Sequence, residues 1–215
     1  MGLWSFRLLG FTVIVEPWFW LVTLLLGAER PPELVLSWMI AVFVSILAHE
    51  LGHAYMGRLY GYDASIRLYS LGGLTSYKGG PRRVTLLQEG LLSLAGPMAG
   101  FAFGLAIYLA ARVLPFQGTF MRVFISDLLW VNIAWGLVNL LPVLPLDGGH
   151  VMRHTVYWWT GRSDDHLPLR ISITAGALVA AVALTRNSLW IAAMFSFMAY
   201  QSYQLLQHLP RSRRA

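Results

Sequence analysis

The run from Leu34 to Leu59 is apolar over the length of a bilayer crossing, yet it carries His49-Glu50-Leu51-Gly52-His53 toward its end. A helix brings residues four apart onto one face, so the two histidines can share a metal ion with a glutamate beside them. Ionisable groups are expensive at membrane depth and mark function there. A chain that holds three of them in such a helix must surround them with other protein segments or with a water-filled cavity.

Composition points the same way. Charged residues make up 12% of the 215 and hydrophobic residues 57%, against about 25% charged in an ordinary soluble domain. The class expected is therefore a polytopic membrane protein. The formal net charge of +6 does not indicate nucleic acid, because the basic residues lie between the apolar runs and form no single basic face. With no cysteine, disulfides and thiolate metal sites are excluded, and a metal must be held by histidine and carboxylate.

The chain divides into apolar runs without a linker or a low-complexity stretch. Arg7 ahead of apolar residues faintly resembles a signal peptide, but Glu16-Pro17 interrupts the run and no small-residue cleavage site follows, so the N-terminus is expected to be retained. Leu3 to Val15, broken at Gly10, is expected to be extended. Trp18 to Gly27 is short for a first crossing and would start before Pro17 or run tilted. The second crossing is expected from about Glu33 to Tyr60, the third from Val84 to Leu114, and the fourth from near Phe120. Two further runs, Leu169 to Leu184 and Ser188 to Leu209, precede a basic tail at Arg211. Between the second and third, Ser65 to Tyr77 predicts a hairpin turning about Gly72-Gly73. The fold class predicted is a membrane all-α bundle of about six transmembrane helices with a small membrane-associated hairpin or sheet, all one domain over residues 1–215 with its motifs in 33–160. Gly96, Gly100 and Gly104 make a small-residue face for close helix packing, and Pro97 is expected to bend its helix.

The fourth crossing ends in Asn139-Leu-Leu-Pro-Val-Leu-Pro-Leu-Asp147-Gly148-Gly149-His150. Its prolines and paired glycines cannot all sit in regular helix, so the chain is expected to open here. A catalytic zinc takes three protein ligands and leaves a position for water. His49 and His53 supply two, and Asp147 is expected as the third, with His150 and His154 as rivals. Glu50 is placed to act as general base. Asn139 could satisfy backbone groups freed by the prolines or donate to the oxyanion of a tetrahedral intermediate. Asp127 and Glu89 are expected to be solvated at helix ends. One Zn2+ per chain is expected.

Six crossings with the N-terminus inside put twelve basic residues on the inner side and four on the outer, which predicts a multi-pass protein of the cell membrane with both termini cytoplasmic. That topology puts His49 and the opened segment toward the cytoplasmic end of their helices.

Four motifs occur in order: His49-Glu50-Leu51-Gly52-His53, Gly72-Gly73-Leu74, Ala95-Gly96-Pro97-Met98-Ala99-Gly100, and the Asn139 to Gly149 segment. Together they resemble the site-2 protease family of intramembrane zinc metalloproteases in its small prokaryotic form, over roughly residues 1 to 160. The resemblance implies that His49, His53 and Asp147 ligate zinc, that Glu50 is the base, and that Asn139 assists at the substrate carbonyl. It also implies an embedded sheet whose edge pairs with an unwound transmembrane protein or peptide substrate in the lipid bilayer. No stretch is long and polar enough for the PDZ or CBS domain that many members carry. The activity expected is endopeptidase cleavage within or near transmembrane segments. The alternative, from another class, is a non-proteolytic metal-binding protein or transporter, although the internal repeats usual in transporters are not evident.

Overall fold

A computed structural model describes residues 4–70, 72–80, 84–114 and 118–209. The basic tail and Arg82-Arg83, used in the charge tally, lie outside them. In chain order the elements are β1 (Trp4–Leu8), β2 (Phe11–Val15), α1 (Pro17–Leu26), α2 (Pro32–Leu59), β3 (Tyr62–Tyr69), β4 (Gly72–Gly79), α3 (Leu86–Val113), α4 (Thr119–Asn139), α5 (Asp147–Thr160), α6 (His166–Thr185) and α7 (Leu189–His208). They pack as two compact units, residues 1–83 with 94–138, and residues 84–93 with 139–215.

The first unit contains a four-stranded sheet in the order β1-β2-β3-β4. The extended segment expected at the N-terminus is the β1–β2 hairpin, closed by Leu9-Gly10 with φ of 51° and 83°. Two positive φ values make the kind of turn whose twist matches that of the flanking strands, and a glycine eases one of them. β2 then pairs in parallel with β3, Thr12 opposite Ser65 through Val15 opposite Leu68, so the connection between them runs through α1 and α2. β3 and β4 form the expected hairpin, in register from Tyr62 opposite Gly79 to Tyr69 opposite Gly72. Gly72 and Gly73 open β4 rather than forming the turn. Alternate residues Phe11, Val13 and Val15 of β2, and Ala64, Ile66 and Leu68 of β3, are buried and join Phe19, Trp38, Val42, Leu47, Ala54 and Val131 in one core. The period of two thus puts one face of the sheet on the helices.

α2 begins at the Pro31-Pro32 pair, where a missing N–H costs nothing, and ends before Gly61 at φ 84°. It shows both sides of a membrane helix: Ala41, Ser45, Glu50 and Ala54 are buried, while Leu36, Tyr55 and Leu59 are exposed. α3 continues through Pro97 and lies close on its neighbours. A Cβ on Gly52 would sit 2.3 Å from the Ala95 carbonyl, and one on Gly104 would meet Asn132 at 3.2 Å. The small-residue face is therefore a packing face, as expected for Gly104.

α2, α3, α4 and α6 are the four described helices long and apolar enough to cross a membrane. α1 has 10 residues, about 15 Å of helix, which is half a bilayer core. It cannot start before Pro17, because Glu16 caps it in an extended conformation and the residues before Glu16 belong to β2. α7 has the length, 20 residues, but its second half carries Gln201, Gln204, Gln207 and His208. Asp127, expected to be solvated, is instead buried at 5% exposure and paired with Arg30 at 2.9 Å. The Arg30 guanidinium also lies 4.5 Å over Trp38. A carboxylate in an apolar helix needs such a partner, which the chain supplies from the α1–α2 connection.

In the second unit α6 and α7 pack through Gly176, where a Cβ would be 3.1 Å from that of Ala199. The buried Ser172 hydroxyl accepts from the Leu144 N–H at 2.8 Å and lies 2.9 Å from the Ser202 hydroxyl. This fastens the irregular segment between α4 and α5 to a regular helix. Gly148 and Gly149, expected in the opened chain, lie in the first turn of α5. A Cβ on Gly148 would fall 2.0 Å from the Leu140 carbonyl, and one on Gly149 2.6 Å from Val143 and Leu144 backbone atoms. They serve close approach of the helix to the bent chain, which is compatible with helical φ. Replacing Ser172 with Ala strands the Leu144 N–H and should destabilise the protein by about 1–3 kcal/mol; Ser202→Ala keeps that bond and should cost less, as read by thermal unfolding in detergent.

Candidate metal centre and proton-transfer site

His49, Glu50 and His53 all lie on α2, where one helical turn separates the two histidines. Their Nε2 atoms are 3.2 Å apart, with the rings inclined at 73°. Two nitrogens bound to one tetrahedral zinc at its usual bond length would be about 3.3 Å apart. The observed convergence of the nitrogens fits that ion. Space is kept for it by α3: a Cβ on Gly96 would come within 2.2 Å of His53 Nε2 and 2.7 Å of His49 Nε2. Gly96 thus differs from Gly100 and Gly104 of its row, since a Cβ there would press on both imidazole Nε2 atoms, whereas at the other two the nearest atoms are 3.2 Å or more away.

Glu50 is 5% exposed. The sheet covers it, with Thr75 Oγ1 donating to Glu50 Oε2 at 2.7 Å. Gly73 stands so close that a Cβ there would be 2.4 Å from Glu50 Cγ. Tyr69 is near enough for its phenol to be pushed above its ordinary pKa, first by burial and then by the Glu50 and Glu16 carboxylates. Further along α2, Tyr77 donates to the His53 carbonyl at 3.3 Å. Glycine at 57 leaves room for the Tyr77 ring, which a Cβ would approach to 2.4 Å.

Asn132 had no sequence signal of its own. It lies in a π-helical turn of α4, Val131–Trp135, at 3% exposure. Such turns recur at functional sites. Its amide donates to Ser45 Oγ at 2.8 Å and to the Leu128 carbonyl at 2.7 Å. Its Oδ1 and His49 Nδ1 both face Gly100, 3.6 and 4.0 Å from where a Cβ would be.

In the second unit, Asn139 at the end of α4 donates from Nδ2 to Asp147 Oδ2 at 2.8 Å, across the bent segment. The expected site residues there are therefore brought together as a pair, and the carboxylate is held in one orientation by an amide. His150 lies on the first turn of α5 and is half-buried. His154 Nδ1 is 3.0 Å from Glu89 Oε2, which gives both a partner other than a metal. Glu89 is partly exposed, nearer to its expected setting than Asp127.

The profile of peptidase family M50 matches residues 37–124 and 117–184. The zinc metalloprotease homologue sll0528 of Synechocystis sp. is 34% identical over 174 residues, which cover 73% of this chain and 45% of that protein. The homologue Rip3 of Mycobacterium tuberculosis is 30% identical over 195 residues, 84% of this chain and 47% of the other. The chain thus spans about half the length of these relatives. The solved structure of the site-2 protease from Methanocaldococcus jannaschii superposes with a TM-score of 0.66 at 20% identity, covering 100% of both chains, and shows the same fold. Gly96→Ala puts a methyl among the imidazole nitrogens and should weaken zinc binding by about tenfold or more, measured by chelator competition; Gly100→Ala, which meets ordinary contact distances, should bind zinc as the wild type does.

Proposed function

Because the chain belongs to peptidase family M50, the site-2 proteases, we propose that it is an intramembrane zinc endopeptidase cleaving within or near transmembrane segments of membrane proteins. The observation that carries this reading is the pair of converging histidine nitrogens beside the buried carboxylate of Glu50, on a helix apolar enough to cross a membrane. Residues 1–215 would form its catalytic domain.

His49 and His53 would hold zinc, with Asp147 as third donor, a His/His/carboxylate set that suits the ion and leaves a position for water. The family order of motifs and the Asn139 bond that orients the Asp147 carboxylate support this assignment. When bound, zinc supplies Lewis acidity that polarises a carbonyl and brings the pKa of water toward about 7. Glu50 takes the proton of the attacking water at Oε1, while Thr75 holds Oε2. The same carboxyl then returns the proton to the amide nitrogen as the peptide bond breaks. The Asn139 amide has two hydrogens, so it can hold Asp147 with one and address the substrate carbonyl with the other.

The substrate's transmembrane helix must be unwound first, since its amides are bonded internally. β4 ends the sheet, and its outer edge offers those amides replacement partners by strand addition. The apolar helices α2, α3, α4 and α6 support a multi-pass arrangement in the cell membrane; with α1 and α7 also crossing, the basic residues divide twelve to four and both termini and the site would lie toward the cytoplasm.

Glu50→Gln should retain one zinc per chain by metal analysis and lose cleavage of a single-span membrane substrate by at least about a hundredfold. Wild-type turnover in that purified variant would overturn the proposal.

A further inference from the structure

Strand β4 does more than close the sheet. Residues two apart on a strand share a face, and Gly73, Thr75 and Tyr77 put theirs against α2. Gly73 admits the stem of Glu50, Thr75 bonds its carboxylate, and Tyr77 bonds the His53 carbonyl beyond it. Thr75 Oγ1 lies 2.7 Å from Glu50 Oε2 and 3.1 Å from the Glu50 carbonyl. A hydroxyl has one proton to give, and the charged oxygen at the shorter distance is the stronger acceptor.

We propose that Thr75 is a positioning residue for Glu50, selecting the carboxylate rotamer in which Oε1 meets the attacking water. This deepens the peptidase reading and rests on it. A glutamate has three side-chain torsions, and burial alone does not choose among the rotamers that fit. The bond from Thr75 fixes one oxygen, and Gly73 supplies the room in which only a glycine lets that arrangement stand. Holding a proton acceptor within hydrogen-bond reach of its target is where misplacement by about 1 Å can cost about a hundredfold. The device is built on regular strand and helix, which hold a side chain more precisely than a loop does.

Valine at 75 keeps β-branching and volume while removing the hydroxyl, so β4 and its outer edge stay in place. With purified protein in detergent and a single-span membrane substrate, Thr75→Val should lower kcat by about 10–100-fold with KM within about threefold. Thr75→Ser restores the hydroxyl and should stay within about threefold of the wild type on both. Zinc content should be unchanged in each. A thermal cycle reads the bond itself: Thr75→Val should lower the midpoint by about 2–4 °C in the wild-type background and by much less when Glu50→Ala is also present. An unchanged kcat in Thr75→Val, a Ser variant as impaired as the Val one, or equal midpoint shifts in both backgrounds would each overturn the inference. Failure of the wild type to cleave would instead overturn the peptidase reading and with it the catalytic sense of the bond, while the cycle still reports whether Thr75 and Glu50 are coupled.

Discussion

A carboxylate and two imidazoles on an apolar helix need compensation from outside that helix, because within it every backbone group is already bonded to its own chain. α2 meets this need on separate fronts. Toward the sheet, Glu50 is bonded by Thr75; toward α3, the imidazole nitrogens converge over Gly96, where their lone pairs can serve one cation. Elsewhere in the same unit Asp127 shows the ordinary solution, a single arginine drawn from a loop. Asp127 is paired with an opposite charge, whereas Glu50 is held by a neutral hydroxyl, the kind of partner that the proposed proton transfer would require.

Glycines carry much of the architecture, by what they leave out. Gly52 and Gly104 let helices approach, Gly96 and Gly73 open room for imidazole and carboxylate, and Gly148 and Gly149 let α5 rest on the bent chain before it. Only the first of these roles follows from small-residue spacing. Telling a packing glycine from one that shapes a site required knowing which side chains face it.

Much of the fold was legible in the sequence because its strongest signals are local. Hydropathy located α2, α3 and α4 to within a few residues, and the β-prone runs on either side of Gly10 and Gly72 became strands. The number of crossings was less legible: Trp18 to Gly27 is apolar enough to suggest a crossing, yet a strand fixes where α1 begins and leaves it 10 residues. Long-range pairings were out of reach. Nothing in the sequence joins Arg30 to Asp127, or Thr75 to Glu50, since each contact depends on how separate elements meet. His49, Glu50 and His53 stood out by spacing, and Asn139 and Asp147 by the broken segment between them; Asn132, in an unbroken apolar helix, had no such mark.

The parallel pairing of β2 with β3 imposes an order of assembly. Thr12 finds Ser65 53 residues later in the chain, after α1 and α2 have been made. Closing so long a loop is slow compared with forming a hairpin, and β1–β2 must wait as an isolated pair of marginal stability. β4 is the last of the four strands in the chain, and it carries the hydroxyl that holds Glu50. A chain whose synthesis has reached the end of α2 therefore still lacks the strand whose Thr75 hydroxyl bonds Glu50, so the ionisable groups of that helix exist before the partner that compensates one of them.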